Sequence, residues 1–254
     1  LLAVQGNSGQ YGPISGEGDF TFDTKGTLRQ HGQLAVTDGN ADFTAGSAFR
    51  QYGDIILANG SGTVSAGGDA LQAGKLVAQK GSIAVTAAND LKNTGTISAA
   101  AKLDINTVKD ITQIQGVMIG GNGTVVNANN LTNNGGVIFS GADIDLTIKN
   151  KLQNLNSASV YAQGDVTIGS GTGKTAELLN QSSTIRGDKN VHIAAGSLTN
   201  EKREFITGWD VTETDHDIAL PGFSLSGKYY NARRYFHRVV QDGTIYLDSP
   251  AAYI

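Results

Sequence analysis

Residues 169–175, Gly-Ser-Gly-Thr-Gly-Lys-Thr, come nearest in this chain to a recognisable piece of chemistry, a phosphate-binding loop. Such a loop needs Gly, four residues, then Gly-Lys-Ser/Thr, so that backbone N–H groups and a helix N-terminus surround the anion. Here Ile168 stands where the first Gly is required, and Ala176-Glu177-Leu178-Leu179-Asn180 does not open a helix. The segment reads as a loop inserted in a repeat. Asp104, Asp145 and Asp165 fall at similar offsets in their repeats and alternate with apolar residues, so they should face solvent as a stripe of carboxylates. Carboxylates gathered on one face are what a polysaccharide-cleaving site would use. Thr124 and Val125 interrupt the stripe, however, and no row of Lys or Arg accompanies it. His31, His192, His216 and His237 are far apart, and none has the spacing of a metal ligand. His192 lies between Val191 and Ile193 and should point outward. The chain has no Gly-x-Ser-x-Gly elbow and no Cys, which removes thiol nucleophiles, thiolate metal sites and disulfides. Asn-x-Ser/Thr sequons at Asn59, Asn122, Asn130 and Asn180 follow from the abundance of Asn and Thr.

The elements that must carry these residues are short and periodic. Leu28-x-Gln30, Leu91-x-Asn93, Leu131-x-Asn133, Leu152-x-Asn154, Leu178-x-Asn180 and Leu198-x-Asn200 share one phrase; Phe49-x-Gln51, Ile111-x-Gln113 and a weaker Leu71-x-Ala73 fill the gaps. The lead residues recur every 20 to 22 positions, with one interval of 26 between 152 and 178. A fixed period near twenty marks a solenoid of stacked coils. Each coil holds short alternating runs such as Ser82-Ile83-Ala84-Val85 and Ile144-Asp145-Leu146, which are strands with one buried face. No crossover helix fits between them, so a βαβ arrangement is excluded. The expected fold is all-β, a right-handed parallel β-helix of ~20-residue coils over 1–200. The recurrent Asn and Gln, together with Asp90, Asp110 and Asn130, should stabilise corners or stack as amide ladders.

Composition agrees. The chain has 34 Gly, 3 Pro and 17% charged residues, which suits many tight turns joined by regular backbone. The net charge of −4, with Lys and Arg scattered through the first 200 residues, is a poor footprint for nucleic acid. No apolar run reaches the length of a transmembrane span. The start at Leu1-Leu2, with an incomplete first phrase, suggests a piece of something longer.

Twenty-residue coils with Leu-x-Asn leads, Gly-Gly or Asn-Gly turns and no Cys resemble the haemagglutinin repeats of filamentous-haemagglutinin-type exoproteins. These are the large effectors of bacterial two-partner secretion, and include those of contact-dependent growth inhibition. The resemblance spans about residues 14 to 200. Ala73 and Gln113 in the Asn slot, the Gln of the earliest coils and the long coil from 152 to 178 depart from the pattern. The resemblance implies a secreted, non-catalytic stalk on the bacterial cell surface that presents a distal adhesive or toxin region. It also implies an outer-membrane transporter of the two-partner type as export partner, and no cofactor.

After Asn200 the repeat stops. Residues 201–254 hold 9 of the 17 aromatic and 14 of the 42 charged residues. They run from Glu201-Lys202-Arg203-Glu204 through Trp209 and an acidic stretch, Asp210 to Asp217, into Tyr229-Tyr230-Asn231-Ala232-Arg233-Arg234-Tyr235-Phe236. Alternation in Phe223-Ser224-Leu225-Ser226 keeps the segment β-rich. One expectation is a cap that closes the open edge of the solenoid. Another is the start of a receptor-binding region, since aromatics and Arg dominate protein interfaces. The growth-inhibition effectors place such a region after their first repeats. Its candidate contacts with an outer-membrane protein or glycan are Trp209, Tyr229, Tyr230, Arg233, Arg234, Tyr235 and Phe236. Interleaved Arg and Tyr would also suit single-stranded nucleic acid, against which the acidic stretch weighs.

Overall fold

A coil of about twenty residues has room for three short strands and three corners, and that is how the chain is arranged. The structure is a computed structural model that describes residues 2–171, 173–203, 205–225, 228–248 and 251–254, with side chains for 4–171, 173–203 and 251–254. Every regular element among the described residues is a strand. The first 200 residues wind into a parallel β-solenoid of about 9 turns, with about 21 residues per turn.

One coil shows the plan. Its strands are Ala41–Ala45, Phe49–Gln51 and Ile55–Leu57, and residues in each alternate between buried and more exposed. First and second strands of all coils join an 18-stranded sheet, and third strands form a separate nine-stranded sheet. In two coils the first and second strands run on without a corner, as Thr124–Asn134 and Ile144–Leu155. Parallel in-register stacking brings like positions together, so inward side chains make apolar ladders. Phe22 lies beside Phe43, and Ile97 beside Met118, all at most 2% exposed.

The pairing corrects one repeat. Ala70, not Leu71, stacks between Phe49 and Leu91, and Leu71 lies on the outer row with Arg50 and Lys92. Gln72 therefore takes the amide slot that the sequence pattern gave to Ala73. Each phrase then carries an inward amide, from Gln30 through Asn93 to Asn180.

These amides do more than turn corners. Asn93 Nδ2 donates to Gln113 Oε1 at 3.1 Å, Gln113 Nε2 to Asn133 Oδ1 at 3.0 Å, and Asn133 Nδ2 to Asn154 Oδ1 at 2.9 Å. Asn154 Nδ2 continues to Asn180 Oδ1 at 2.9 Å, and Asn180 Nδ2 to Asn200 Oδ1 at 2.8 Å. Each donor also reaches a backbone carbonyl at the start of the next coil's third strand, as Gln113 Nε2 does at Val137 O, 3.0 Å. Burial is complete or nearly so from Asn93 to Asn180, and every polar atom of this stretch of the row is answered. The Gln positions of the early coils behave differently. Gln51 and Gln72 turn their Nε2 toward the carbonyls of Gly53 and Gly74, both at 2.9 Å, and the Oε1 atoms of Gln10, Gln30 and Gln51 find no partner. An unanswered buried acceptor costs about 1–3 kcal/mol, so the amide row is better satisfied toward the later coils.

Corner glycines set how closely the coils approach. A Cβ on Gly53, Gly74 or Gly95 would overlap the carbonyl oxygen of the glycine one coil earlier. Later coils turn the same corner through left-handed residues, Gln115 at φ 52°, Gly135 at 62° and Ser182 at 49°. Asp110 N and Asn130 Nδ2 bond Asp90 Oδ1 and Asp110 Oδ1 at 3.1 and 2.8 Å, which builds the corner ladder expected of those residues.

The outer rows differ by face. On the first strands, Thr44, Ser65, Thr86, Asn106, Asn127 and Thr147 stack as a polar row. On the third strands the outward row from Ala35 to Tyr161 is apolar except at Ser98.

Candidate functional site

The coil that contains Asn200 is interrupted and then completed. Its second strand lies within Ala195–Glu201, where Leu198 pairs with Leu178 and Asn200 with Asn180. Elsewhere two to four residues lead from the amide to the third strand. Here the chain instead enters two long strands, Phe205–Leu225 and Lys228–Asp248, and returns at 251–254. On return, Tyr253 bridges Thr184 in parallel, Tyr253 N donates to Ser183 O at 2.9 Å, and Ile185 N donates to Tyr253 O at 2.9 Å. Asn180 Nδ2 also reaches Tyr253 O at 2.9 Å, the bond that Asn154 makes to Thr184 O. Tyr253 therefore holds the third-strand position of this coil. The repeat expected to stop at Asn200 is continued by a single bridging residue, Tyr253, which no Leu-x-Asn phrase announces. By contact the chain divides the same way, with residues 1–202 and the C-terminal return in one unit and 203–249 in another.

The second unit is an antiparallel hairpin of two 21-residue strands. All seven candidate contacts lie on it; their side chains are outside the described residues, so the backbone register is what places them. Trp209 pairs with Gly243, Arg233 with Ala219, Arg234 with Ile218, Tyr235 with Asp217 and Phe236 with His216. Tyr229 and Tyr230 pair with Ser224 and Phe223 at the turn end. Trp209 is seven strand positions from His216, or roughly 23 Å at ~3.3 Å per residue, so the register separates it from the 229–236 group. Along the second strand Tyr229, Arg233 and Tyr235 take one alternation, and Tyr230, Arg234 and Phe236 the other. Only the end of the acidic stretch reaches the aromatic and basic one, with Asp217 opposite Tyr235 and His216 opposite Phe236; Asp215 is opposite His237, and Asp210 to Glu213 lie across from 239–242. Sequence proximity alone could not show that pairing.

The other motifs fall into structural places. After strand Val166–Gly169, Ser170 N donates to Gly173 O at 3.1 Å, and the chain passes into strand Thr175–Gln181. The groove beside this loop is lined by Asp145, Thr147 and Thr167. A carboxylate there repels phosphate, and no helix N-terminus offsets it. Asp104 and Asp145 do share an outward row, with Val125 between them. Asp165 does not: it lies in a corner, its N–H donating to Asp143 Oδ1 at 2.8 Å and its Oδ1 accepting from Asn190 N at 3.0 Å. Thr167, two residues on, takes the row position, and the turn through Asn156 and Ser157, one residue longer than its neighbours, accounts for one of those two positions. His192 is exposed on that row, as alternation required. His31 is stacked between Tyr11 and Tyr52, with centroids 4.9 and 4.5 Å away. No group of three His, Asp or Glu that could hold a metal occurs among the described residues.

One charged cluster stands at the end of the third-strand row. Tyr161 OH donates to Asp188 Oδ2 at 2.7 Å, Arg186 Nη2 donates to Asp188 Oδ1 at 2.7 Å, and the Arg186 guanidinium lies 5.1 Å from the Tyr161 ring centroid. The hydrogen bond to Asp188, then desolvation, raises the Tyr161 phenol above its usual value, and the Tyr161 bond foremost lowers the Asp188 carboxyl. A lowered carboxyl contributes above its unfolded value and loses that contribution as pH falls; a raised phenol loses its contribution as pH rises through its folded value. The contact therefore persists across neutral pH.

Comparison of the chain with known protein families, with curated proteins and with solved structures returned no match. No helix among the described residues is long and apolar enough to cross a membrane.

Proposed function

We propose that this chain is a non-catalytic stalk segment of a large secreted bacterial surface exoprotein, of the filamentous-haemagglutinin type its repeats resemble. One observation carries the reading: about nine coils share one continuous core, and each strand pairs only with the coils above and below it. Such a stack extends by adding coils and holds whatever it bears at a distance set by coil number. Its local contacts suit coil-by-coil folding outside the cell, after export through an outer-membrane transporter of the two-partner type. The load would be a distal adhesive region or toxin of a contact-dependent inhibition effector.

A second reading assigns receptor binding, to an outer-membrane protein or glycan, to the hairpin. The interruption of the Asn200 coil favours it. A corner that other coils turn in two to four residues carries two 21-residue strands here, and insertions into solenoid coils commonly form the binding face. Replacing residues 201–252 with a Thr-Gly corner, as in Thr94-Gly95, separates the readings. The stalk reading expects unchanged melting of the coils, and unchanged attachment of the purified chain to target cells. Lost attachment with intact coils would move binding to the hairpin. Coils that no longer fold would contradict both readings, because the excised residues would then be part of the scaffold.

A further inference from the structure

We infer that the outer face of the third-strand sheet pairs with the same face of a second copy of this chain, the two coil stacks running antiparallel. Charged residues and hydroxyls or amides occupy most of the outer positions on the first strands, as in the row Thr44 to Thr147. The third strands instead turn apolar or aromatic side chains outward on six of the seven coils from Ala35 to Tyr161, while the flanking row, Lys75, Thr96, Val117, Val137 and Ser159, is mixed. Parallel sheets with both faces apolar are ordinarily covered on both. Here the inner face is the core, and within residues 1–202 no strand packs on the outer one.

The order of side chains along the row names the occupant. Ser98 is central, with four coils on each side, from Ser15 to Arg186. A two-fold axis through Ser98 sets Val77 against Ile119, Ile56 against Phe139 and Ala35 against Tyr161. The smallest member thus meets the largest, and Ser98 meets itself. A parallel pairing would instead oppose Tyr161 with Tyr161 and Ala35 with Ala35, which leaves a gap at one end and crowding at the other. Isologous pairing of this kind needs one self-complementary patch, which this row provides. Eight steps of ~4.8 Å, across third strands of three or four residues at ~3.3 Å each, give roughly 380–500 Å² per chain, the small end of the interface range, which suits a weak, concentration-dependent pair.

The test uses the whole chain. Sedimentation equilibrium is expected to show a mass approaching twice the 26.4 kDa of one chain as concentration rises. Ile119→Lys and Phe139→Asp, both at outward positions, should each restore the monomer while circular dichroism and melting stay unchanged. Since the chain has no Cys, a short thiol cross-linker reads the geometry directly. Ser98→Cys should cross-link to itself, Ala35→Cys should not, and Ala35→Cys mixed with Tyr161→Cys should. A monomer at every concentration overturns the inference, as does a dimer that survives Phe139→Asp. Self-cross-linking of Ala35→Cys overturns the antiparallel arrangement. If either charged variant fails to fold, the cross-linking pattern of the Cys variants decides.

Discussion

Asn154→Asp is expected to destabilise the coil stack by about 3–5 kcal/mol at neutral pH, the order of an uncompensated buried charge. Asn154 is 0% exposed; it accepts from Asn133 and donates both to Asn180 Oδ1 and to Thr184 O. A carboxylate keeps the first of these bonds, loses the other two, and faces two oxygens. Thermal unfolding should show a fall on the order of 10 °C. The sign with pH is a further check. Burial raises the folded pKa of the new carboxyl above its unfolded value of about 3.9, so the penalty is least below that value and grows as pH rises. The gap between variant and parent should narrow toward pH 4, where a protonated carboxyl can donate to Asn180. Asn154→Gln should cost much less, because Gln113 occupies the same row between Asn93 and Asn133 with its bonds intact. Equal losses for Asp and Gln would mean that the row contributes packing alone.

Gly74→Ala tests the other constraint on coil spacing, and about 3 kcal/mol is expected to be lost. The added methyl would overlap Gly53 O and lie 2.8 Å from Gly53 C and from Tyr52 O, all backbone atoms of the coil below. Gly74 does not have a positive φ, so backbone strain does not contribute and the result isolates close approach. The stack must open at that corner, where Gly53, Gly74 and Gly95 lie directly over one another. Gly16→Ala is the control: nothing lies within 4 Å of its Cβ, and its melting temperature should match the parent's. A Gly74→Ala protein as stable as the control would show that glycine at this corner serves the turn rather than the spacing.

Much of the scaffold was legible in the sequence because a solenoid repeats its physics. An inward apolar lead with an amide two residues on must recur once per coil, and that recurrence is readable without any long-range information. Misreadings arose where one residue more or less changed the count. Leu71 is apolar and adjacent to the true lead Ala70, and a small residue in a ladder beneath Phe49 gives a weak hydrophobic signal. Asp165 matched its neighbours in offset but falls two positions short of the row, one of them owed to the extra residue in the turn through Asn156 and Ser157. The inward direction of the amides was only partly foreseen, since a ladder of side-chain bonds depends on the stacking of coils twenty residues apart.

The region after Asn200 was legible in composition but not in arrangement. Aromatics and charges marked a change there. Pairing Asp215 with His237, and separating Trp209 from Tyr229, required the hairpin register. The return at Tyr253 was invisible, because a single bridging residue that completes a coil after 50 intervening residues has no local pattern. The apolar outer row escaped notice for a similar reason. Ile56, Val77 and Ile119 each stand beside inward residues in the sequence, and only stacking shows that they form a row of their own.

The most direct test of the stacked scaffold is a distance that grows coil by coil. Thr44, Asn127 and Thr147 lie on one outward row, with Thr147 five coils from Thr44 and Asn127 four. In this Cys-free chain, paired Cys substitutions at Thr44 and Thr147, spin-labelled and measured by double electron–electron resonance, should give a narrow distribution near ~24 Å. The Thr44–Asn127 pair should be shorter by about one coil, ~5 Å. Broad distributions, or distances that do not change by one coil spacing between the two pairs, would contradict it.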